Sequence, residues 1–323
     1  MIISKTPLRI SFFGGGSDYP EWYNDHGGVV LSTAINKFVY ISLRELPPYF
    51  EHRHRIVYGQ IENVKSTAEI NHPAVRECFK YFKIQEGLEL HYDADLPSKS
   101  GTGSSSSFTV GLLNSLHNLK KTDVSPHFLA TEAINIEQNI IKESVGSQDQ
   151  CAAAYGGFNY MEFSKDEISV SKIPTEKNNT KKLESHLLLV FAGFPHNASN
   201  IAMTYDFKNR ETEIKEMMKL TKKAFYFLDN NRILEFGHLL NESWSLKKSL
   251  SNSISTPYID YLYERSLKAG ALGGKLMGAG GGGFMLLFCE PDKQEQLKKA
   301  LEGMLFIPFK FEDNGSQIIF NNE

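Results

Sequence analysis

The spacing of apolar residues predicts strands in the first third of the chain and a mixture of helices and strands beyond it. Residues 2–13 read as a strand, followed by a turn-rich stretch, Gly14-Gly15-Gly16-Ser17-Asp18-Tyr19-Pro20. Residues 29–31, 37–43, 53–58 and 88–92 predict further strands, with Phe38 and Tyr40 alternating against Val39 and Ile41. Helical spacing predicts helices over residues 73–82, 105–119 and 126–142. In the second of these Phe108, Leu112, Leu116 and Leu119 set the period, and in the third Ser125 suits the N-cap and Pro126 the first helical position.

Residues 171–185 are polar and rich in Lys, Asn and Thr, the best place for a boundary. They divide the chain into an N-terminal domain, 1–180, and a C-terminal domain, 181–323. The second half opens on an apolar strand at 187–191. Helical patterns follow at 205–230, 233–250 and 257–269, then a strand at 284–288 and a helix at 292–303. A glycine cluster, Gly278-Ala279-Gly280-Gly281-Gly282-Gly283, reads as a connection from a helix into the strand at 284.

Composition narrows the function. Across 323 residues, 41% hydrophobic and 23% charged content is that of an ordinary globular protein able to bury a core. A formal net charge of -3 argues against a nucleic-acid partner. The three cysteines, Cys78, Cys151 and Cys289, stand singly, which argues against a disulfide framework or a zinc site. The N-terminal residues lack a signal-peptide pattern and no apolar run is long enough to span a bilayer, so the expected location is cytoplasmic, without a membrane partner. Oligomeric state is not legible.

The chemistry concentrates in Leu96-Pro97-Ser98-Lys99-Ser100-Gly101-Thr102-Gly103-Ser104-Ser105-Ser106-Ser107, directly before a helix. A glycine loop that feeds a helix N-terminus holds anions, because unpaired N–H groups and the positive dipole end point outward together. Four successive serines add hydroxyls, and a phosphate chain is the natural ligand. No Gly-Lys-Ser/Thr follows, so this is not a Walker A loop. Gly278, Gly280 and Gly283 match G-x-G-x-x-G without the strand-to-helix context of a dinucleotide site. Glu137 interrupts the apolar stripe of the 126–142 helix; a buried salt bridge and a Mg²⁺ ligand are both open readings. Asp149, amid small residues between Gly146 and Gly157, reads in isolation as a turn former or helix cap, and Arg9, mid-strand, as an edge-strand arginine.

Three motifs in order resemble the GHMP family of small-molecule kinases: Pro7-Leu8-Arg9-Ile10-Ser11-Phe12-Phe13-Gly14-Gly15-Gly16-Ser17-Asp18-Tyr19, the 97–107 loop, and Lys275-Leu276-Met277-Gly278-Ala279-Gly280-Gly281-Gly282-Gly283-Phe284. The resemblance implies an α+β protein, a ribosomal protein S5 domain 2-like N-terminal domain followed by a ferredoxin-like C-terminal domain. It implies ATP and Mg²⁺ as cofactors, Asp149 as catalytic aspartate and Arg9 as the basic group beside it. Residues 97–107 would hold the phosphates, and Ser105 with Glu137 the metal. Gly15, Gly16, Ser17, Asp18, Tyr19, Gly280 and Gly281 would line the acceptor site.

The first motif is similar to the sugar-kinase branch, in which galactokinases carry Glu and His where this chain has Gly15 and Gly16. The glycine form is similar to kinases that phosphorylate the anomeric hydroxyl of D-glycero-D-manno-heptose 7-phosphate. A sugar phosphate is therefore the expected small-molecule partner, with His196, Asn197 and Ser199 as candidates for its phosphate. An unphosphorylated monosaccharide and a non-catalytic sugar sensor are the alternatives.

Overall fold

The computed structural model describes residues 1–174, 178–194 and 209–322. A long hairpin organises the first half: β1 (Ile2–Phe13) runs antiparallel to β2 (Gly28–Glu45) along almost its whole length. The two strands expected at 29–31 and 37–43 are thus one. Its polar middle is buried, with Ser32 and Thr33 both 0% exposed, and a register shift at Pro7/Leu8 accommodates the extra residues.

This one long strand carries two neighbours on the side away from β1. Its second half pairs with β5 (Leu88–Ala94) and its first half with β6 (Phe158–Phe163). β3 (His54–Val57) and β4 (Ile61–Val64) extend the sheet beyond β5, and β7 (Ile168–Ile173) extends it beyond β6. The terminal strand β12 (Gln317–Asn321) returns from the far end of the chain to pair with β1.

α3 (Ser104–Leu119) lies across β1 and β2. Its close approach needs Gly111, where a Cβ would fall 2.7 Å from Thr6 Oγ1. α4 (Pro126–Ile134) is capped by Ser125, which accepts from Phe128 N–H, and passes directly into a π-helical segment, Asn135–Ile141. α5 (Gln148–Tyr155) packs between α3, α4 and β1. Among the shorter helices, α1 (Pro20–His26) follows the first glycine turn and α2 (Pro73–Tyr81) starts at a proline after the His72 cap.

The polar stretch expected as a boundary holds a helix, α6 (Asn178–Ser185). Beyond it β8 (Leu187–Phe191), β9 (Ala271–Leu276), β10 (Phe284–Cys289) and β11 (Leu305–Ile307) form a second sheet, in the order β11-β8-β10-β9. Helices α7 (Glu211–Asp229), α8 (Ile233–Ser249) and α9 (Pro257–Lys268) precede β9, and α10 (Gln294–Ala300) follows β10. The 278–283 glycines therefore join two antiparallel strands, β9 and β10, and not a helix and a strand as expected. Gly273 and Gly274 hide β9 in the sequence, since glycine carries no strand signal.

α8 is packed against β9, β10 and β1, so it ties the second sheet to the first. Phe12 marks the junction. Its ring stacks on Phe158 at 5.3 Å and meets Phe236 of α8 edge-on at 5.5 Å and Phe311 at 6.4 Å. One contiguous apolar core runs through both halves. Among the described residues no helix is long and apolar enough to cross a membrane. Phe12→Ala should lower the unfolding free energy by about 3–5 kcal/mol, read from urea denaturation, because it empties a fully buried ring site shared by three elements.

Candidate functional site

The 97–103 loop is held from several directions before it becomes α3. Ser100 Oγ donates to Pro97 O at 2.6 Å, Arg9 N–H to Thr102 O at 3.0 Å, and Phe284 N–H to Ser100 O at 3.2 Å. Gly101 lies on the β9–β10 turn so closely that a Cβ would sit 2.5 Å from Met277 O, and Gly278 presses back on Gly101 Cα. α3 then starts at Gly103, left-handed, with no side-chain cap. Its first N–H groups are left for an anion.

The four serines divide between the protein interior and solvent. Ser107 Oγ donates to Pro7 O at 2.8 Å and Ser106 Oγ to Glu137 at 2.9 Å. Ser104 is buried as well, and only Ser105 of the four is exposed. Pro97, Ser98 and Lys99, at the entrance of the loop, are exposed. Thr102 is buried beside Ser100.

Arg9 is 5% exposed and makes a two-pronged ion pair with Asp149, Nε to Oδ1 at 2.7 Å and Nη2 to Oδ2 at 2.8 Å. Its third branch donates to Gly101 O at 2.5 Å. Asp149 stands in the first turn of α5, where the helix dipole favours a carboxylate, and keeps 24% of its side chain exposed. Gly103 packs on both partners, with a built Cβ 3.2 Å from Arg9 Cγ and 3.4 Å from Asp149 Oδ2. An ionised carboxylate that reaches solvent beside a fixed guanidinium can orient a hydroxyl and receive its proton, while the cation offsets charge on a phosphoryl group.

Glu137 sits in the π-helical turn, 1% exposed. Its surroundings are neutral: Ser106 Oγ and Gln150 Nε2 donate to Oε2, the Thr109 hydroxyl also acts on the carboxylate, and Oε1 has no hydrogen bond of good geometry. Burial pushes its carboxyl up to about 7, against the lowering effect of its hydrogen bonds. The salt-bridge reading is therefore not what the structure holds. The adjacent hydroxyl is Ser106, whereas Ser105 points outward on the same turn. One free carboxylate oxygen beside an anion-binding helix start fits Mg²⁺, which takes one or two carboxylates and completes its shell with phosphates and water. No cluster of three acidic, His or Cys side chains suited to a metal occurs among the described residues.

The first-motif turn is locked from inside. Ser17 Oγ lies 2.8 Å from Gly14 O and 3.0 Å from Val29 O, which share its one proton, and accepts from Val29 N–H, so this hydroxyl holds the turn to β2. Asp18 is 1% exposed and accepts from Gly16 N–H at 2.9 Å and Gln148 N–H at 3.3 Å. Burial raises its pKa, with Asp149 adding to the rise. Asp18 thus fastens the turn to the start of α5, with Gly146 pressed on the carboxylate. Tyr19 is half-buried and its carbonyl accepts the Trp22 and Tyr23 N–H groups that open α1. At Gly16 a Cβ would meet nothing within 4 Å, so the turn opens to free space there.

Gly280 and Gly281 are braced against Ile254: a Cβ on Gly280 would lie 2.7 Å from Ile254 Cα, and Gly281 N–H donates to Ile254 O at 3.0 Å. His196, Asn197 and Ser199 lie outside the described residues.

Two buried lysines escaped the sequence reading. Lys247 Nζ donates to Leu276 O at 3.2 Å and to Gly278 O; burial, with Arg9 nearby, pushes its pKa down to about 7. Lys275 Nζ donates to Phe12 O at 3.0 Å and is held well below the lysine range by burial and by Lys247 and Arg9. Lys247 lies on the buried stripe of α8 with Phe236, Leu240 and Trp244, the same anomaly that singled out Glu137, and it was available to the same test.

A backbone anion cradle facing one carboxylate across a buried guanidinium is the arrangement of a small-molecule kinase. The comparisons agree. The GHMP kinases N terminal domain matches residues 65–157 and the GHMP kinases C terminal region residues 217–305, together more than half of the chain. The chain belongs to the GHMP kinase family, whose members use ATP as phosphate donor. It is 28% identical over 317 residues to the D-glycero-alpha-D-manno-heptose 7-phosphate kinase of Campylobacter jejuni, spanning 93% of each. To the galactokinase of Pyrococcus furiosus it is 24% identical over 345 residues, 93% of this chain and 92% of the other. The crystal structure of a D-glycero-D-manno-heptose 1-phosphate kinase from Bacteroides thetaiotaomicron matches with a TM-score of 0.82 at 24% identity over 100% of both chains, a likeness of fold.

The Glu137 carboxyl gives a pH signature. Its folded pKa of about 7 lies above the ordinary 4.5, so folding favours the protonated form, and stability is lost as pH climbs through that interval. In metal-free buffer the wild type should lose on the order of 3 kcal/mol relative to Glu137→Gln between pH 4.5 and 8, measured by urea unfolding across that range.

Proposed function

We propose that the protein transfers the γ-phosphoryl group of ATP to the anomeric hydroxyl of a sugar phosphate, D-glycero-D-manno-heptose 7-phosphate, giving the 1,7-bisphosphate. The observation that carries the reading is the bidentate Arg9–Asp149 pair at the mouth of the uncapped α3 loop. In this reading residues 97–107 wrap the ATP phosphates with backbone N–H groups. Asp149 orients the acceptor hydroxyl and receives its proton, and Arg9 offsets charge on the phosphoryl group in transit.

Glu137 and Ser105 would hold Mg²⁺, with Ser106 fixing the carboxylate between them. The metal, when bound, neutralises charge on the phosphates. For this chain's own residues the task is positioning: Gln150 and Ser106 keep one oxygen of Glu137 engaged and leave the other free.

Room for a heptose is supported by the turn at Gly15 and Gly16, where two side chains carried by galactokinases are missing and the Gly16 side is open. The Campylobacter jejuni relative, named as a heptose 7-phosphate kinase, supports the substrate class.

The test is ADP release with heptose 7-phosphate, the free heptose and galactose. The expected result is a kcat/KM highest on the 7-phosphate; a higher value on a free sugar would replace this substrate with a monosaccharide. Sugar binding without ADP release on any member would indicate a sensor. Asp149→Asn should lower kcat by about 10²–10⁴-fold on the preferred acceptor while the circular dichroism spectrum is kept, and full turnover would remove Asp149 from the chemistry.

A further inference from the structure

Two polar atoms next to the Arg9–Asp149 pair have no hydrogen-bond partner. Ser11 is 6% exposed and its Oγ is unpartnered; Gln148 is 8% exposed and its Oε1 is unpartnered. The two side chains approach the same spot, Gln148 through the Nε2 end of the carboxamide. A Cβ built on Gly15 would lie 3.7 Å from Ser11 Oγ and 3.4 Å from Gln148 Nε2. With no side chain at Gly15, a hydroxyl and a carboxamide converge beside it, and at the next residue, Gly16, a Cβ would meet nothing within 4 Å.

Placement along the chain reinforces the convergence. Ser11 is two residues from Arg9 on β1, so both side chains leave the strand on one face. Gln148 directly precedes Asp149 at the start of α5. The two elements that supply the ion pair thus each supply a second polar group, one step toward the glycine turn. A buried hydroxyl or amide oxygen without a partner is costly, and folded proteins tolerate few of them. A ligand that itself carries hydroxyl groups would satisfy both. A serine hydroxyl donates and accepts, a carboxamide offers one acceptor and two donors, and a sugar hydroxyl complements either.

We infer that Ser11 and Gln148 bind the hydroxyl groups of a polyol acceptor that flank the one being phosphorylated, and so hold the attacking oxygen against Asp149. The inference rests on the kinase reading above and assigns the residues that select its acceptor. The backbone bond from Gln148 N–H to Asp18 is independent of the Gln148 side chain, so the fold of the turn survives its replacement.

The test compares Ser11→Ala and Gln148→Leu with wild type, using whichever of heptose 7-phosphate, free heptose or galactose the wild type phosphorylates. Each variant should raise the acceptor KM by about tenfold or more and leave the ATP KM within about twofold, since a site built to bond a hydroxyl loses affinity when its partner is removed. Ser11→Ala should keep or raise the melting temperature, because it deletes a hydroxyl with no partner in the free protein. An unchanged acceptor KM in both variants overturns the assignment. So does a fall in melting temperature with the acceptor and ATP KM values moving together, the mark of a structural role. Wild-type protein that phosphorylates none of the three overturns the kinase reading itself, and this assignment with it.

Discussion

The guanidinium of Arg9 is the interaction on which the site depends. From one buried strand position it binds both oxygens of Asp149 and the carbonyl of Gly101, and the backbone N–H of the same residue holds Thr102 O. β1, the 97–103 loop and α5 are thereby fixed to one another by a single residue. A guanidinium suits this role because its planar donors point in several directions at once and it stays charged in a low-dielectric site. Burying such a charge is unfavourable unless it is paired, and here Asp149 and the Gly101 carbonyl take three of its five N–H donors. The geometry of the site and the solvation of Arg9 are two aspects of one requirement.

A second constraint is steric. The phosphate loop and the β9–β10 turn meet backbone to backbone at Gly101 and Gly278, and any Cβ at either residue would overlap the other segment. Contact at this distance places main-chain groups of the second sheet directly behind the loop. Lys247 closes the arrangement by holding the Leu276 and Gly278 carbonyls from α8. The second half of the chain thus shapes the nucleotide loop without supplying the carboxylate or the arginine.

Much of the architecture was legible because its signals are local. β1, α3, α4 and β10 were readable from periodicity, and Ser125-Pro126 marked the start of α4 directly. The elements that were missed or misdrawn depend on partners distant in sequence. β2 stays extended through polar residues because β1 and β6 flank it there, and β9 is a strand despite its glycines because β10 pairs with it. In the site, Glu137 stood out as a charge on an apolar stripe. The choice between Ser105 and Ser106 did not, because it turns on which side of one helical turn faces the buried carboxylate.

By itself the sequence determined the glycine- and serine-rich loop ahead of α3, the order of the three motifs and the presence of Arg9, Glu137 and Asp149, since these follow from residue type and short-range spacing. Only the tertiary structure decided what each group is free to do. Ser17, Ser106, Ser107 and Asp18 are engaged inside the protein, while Ser11 and Gln148, ordinary in the sequence, emerge as buried groups without partners. The physical reason is that hydrogen-bond satisfaction is a property of neighbours brought together by folding, and no spacing along the chain encodes whether a polar atom has already found one.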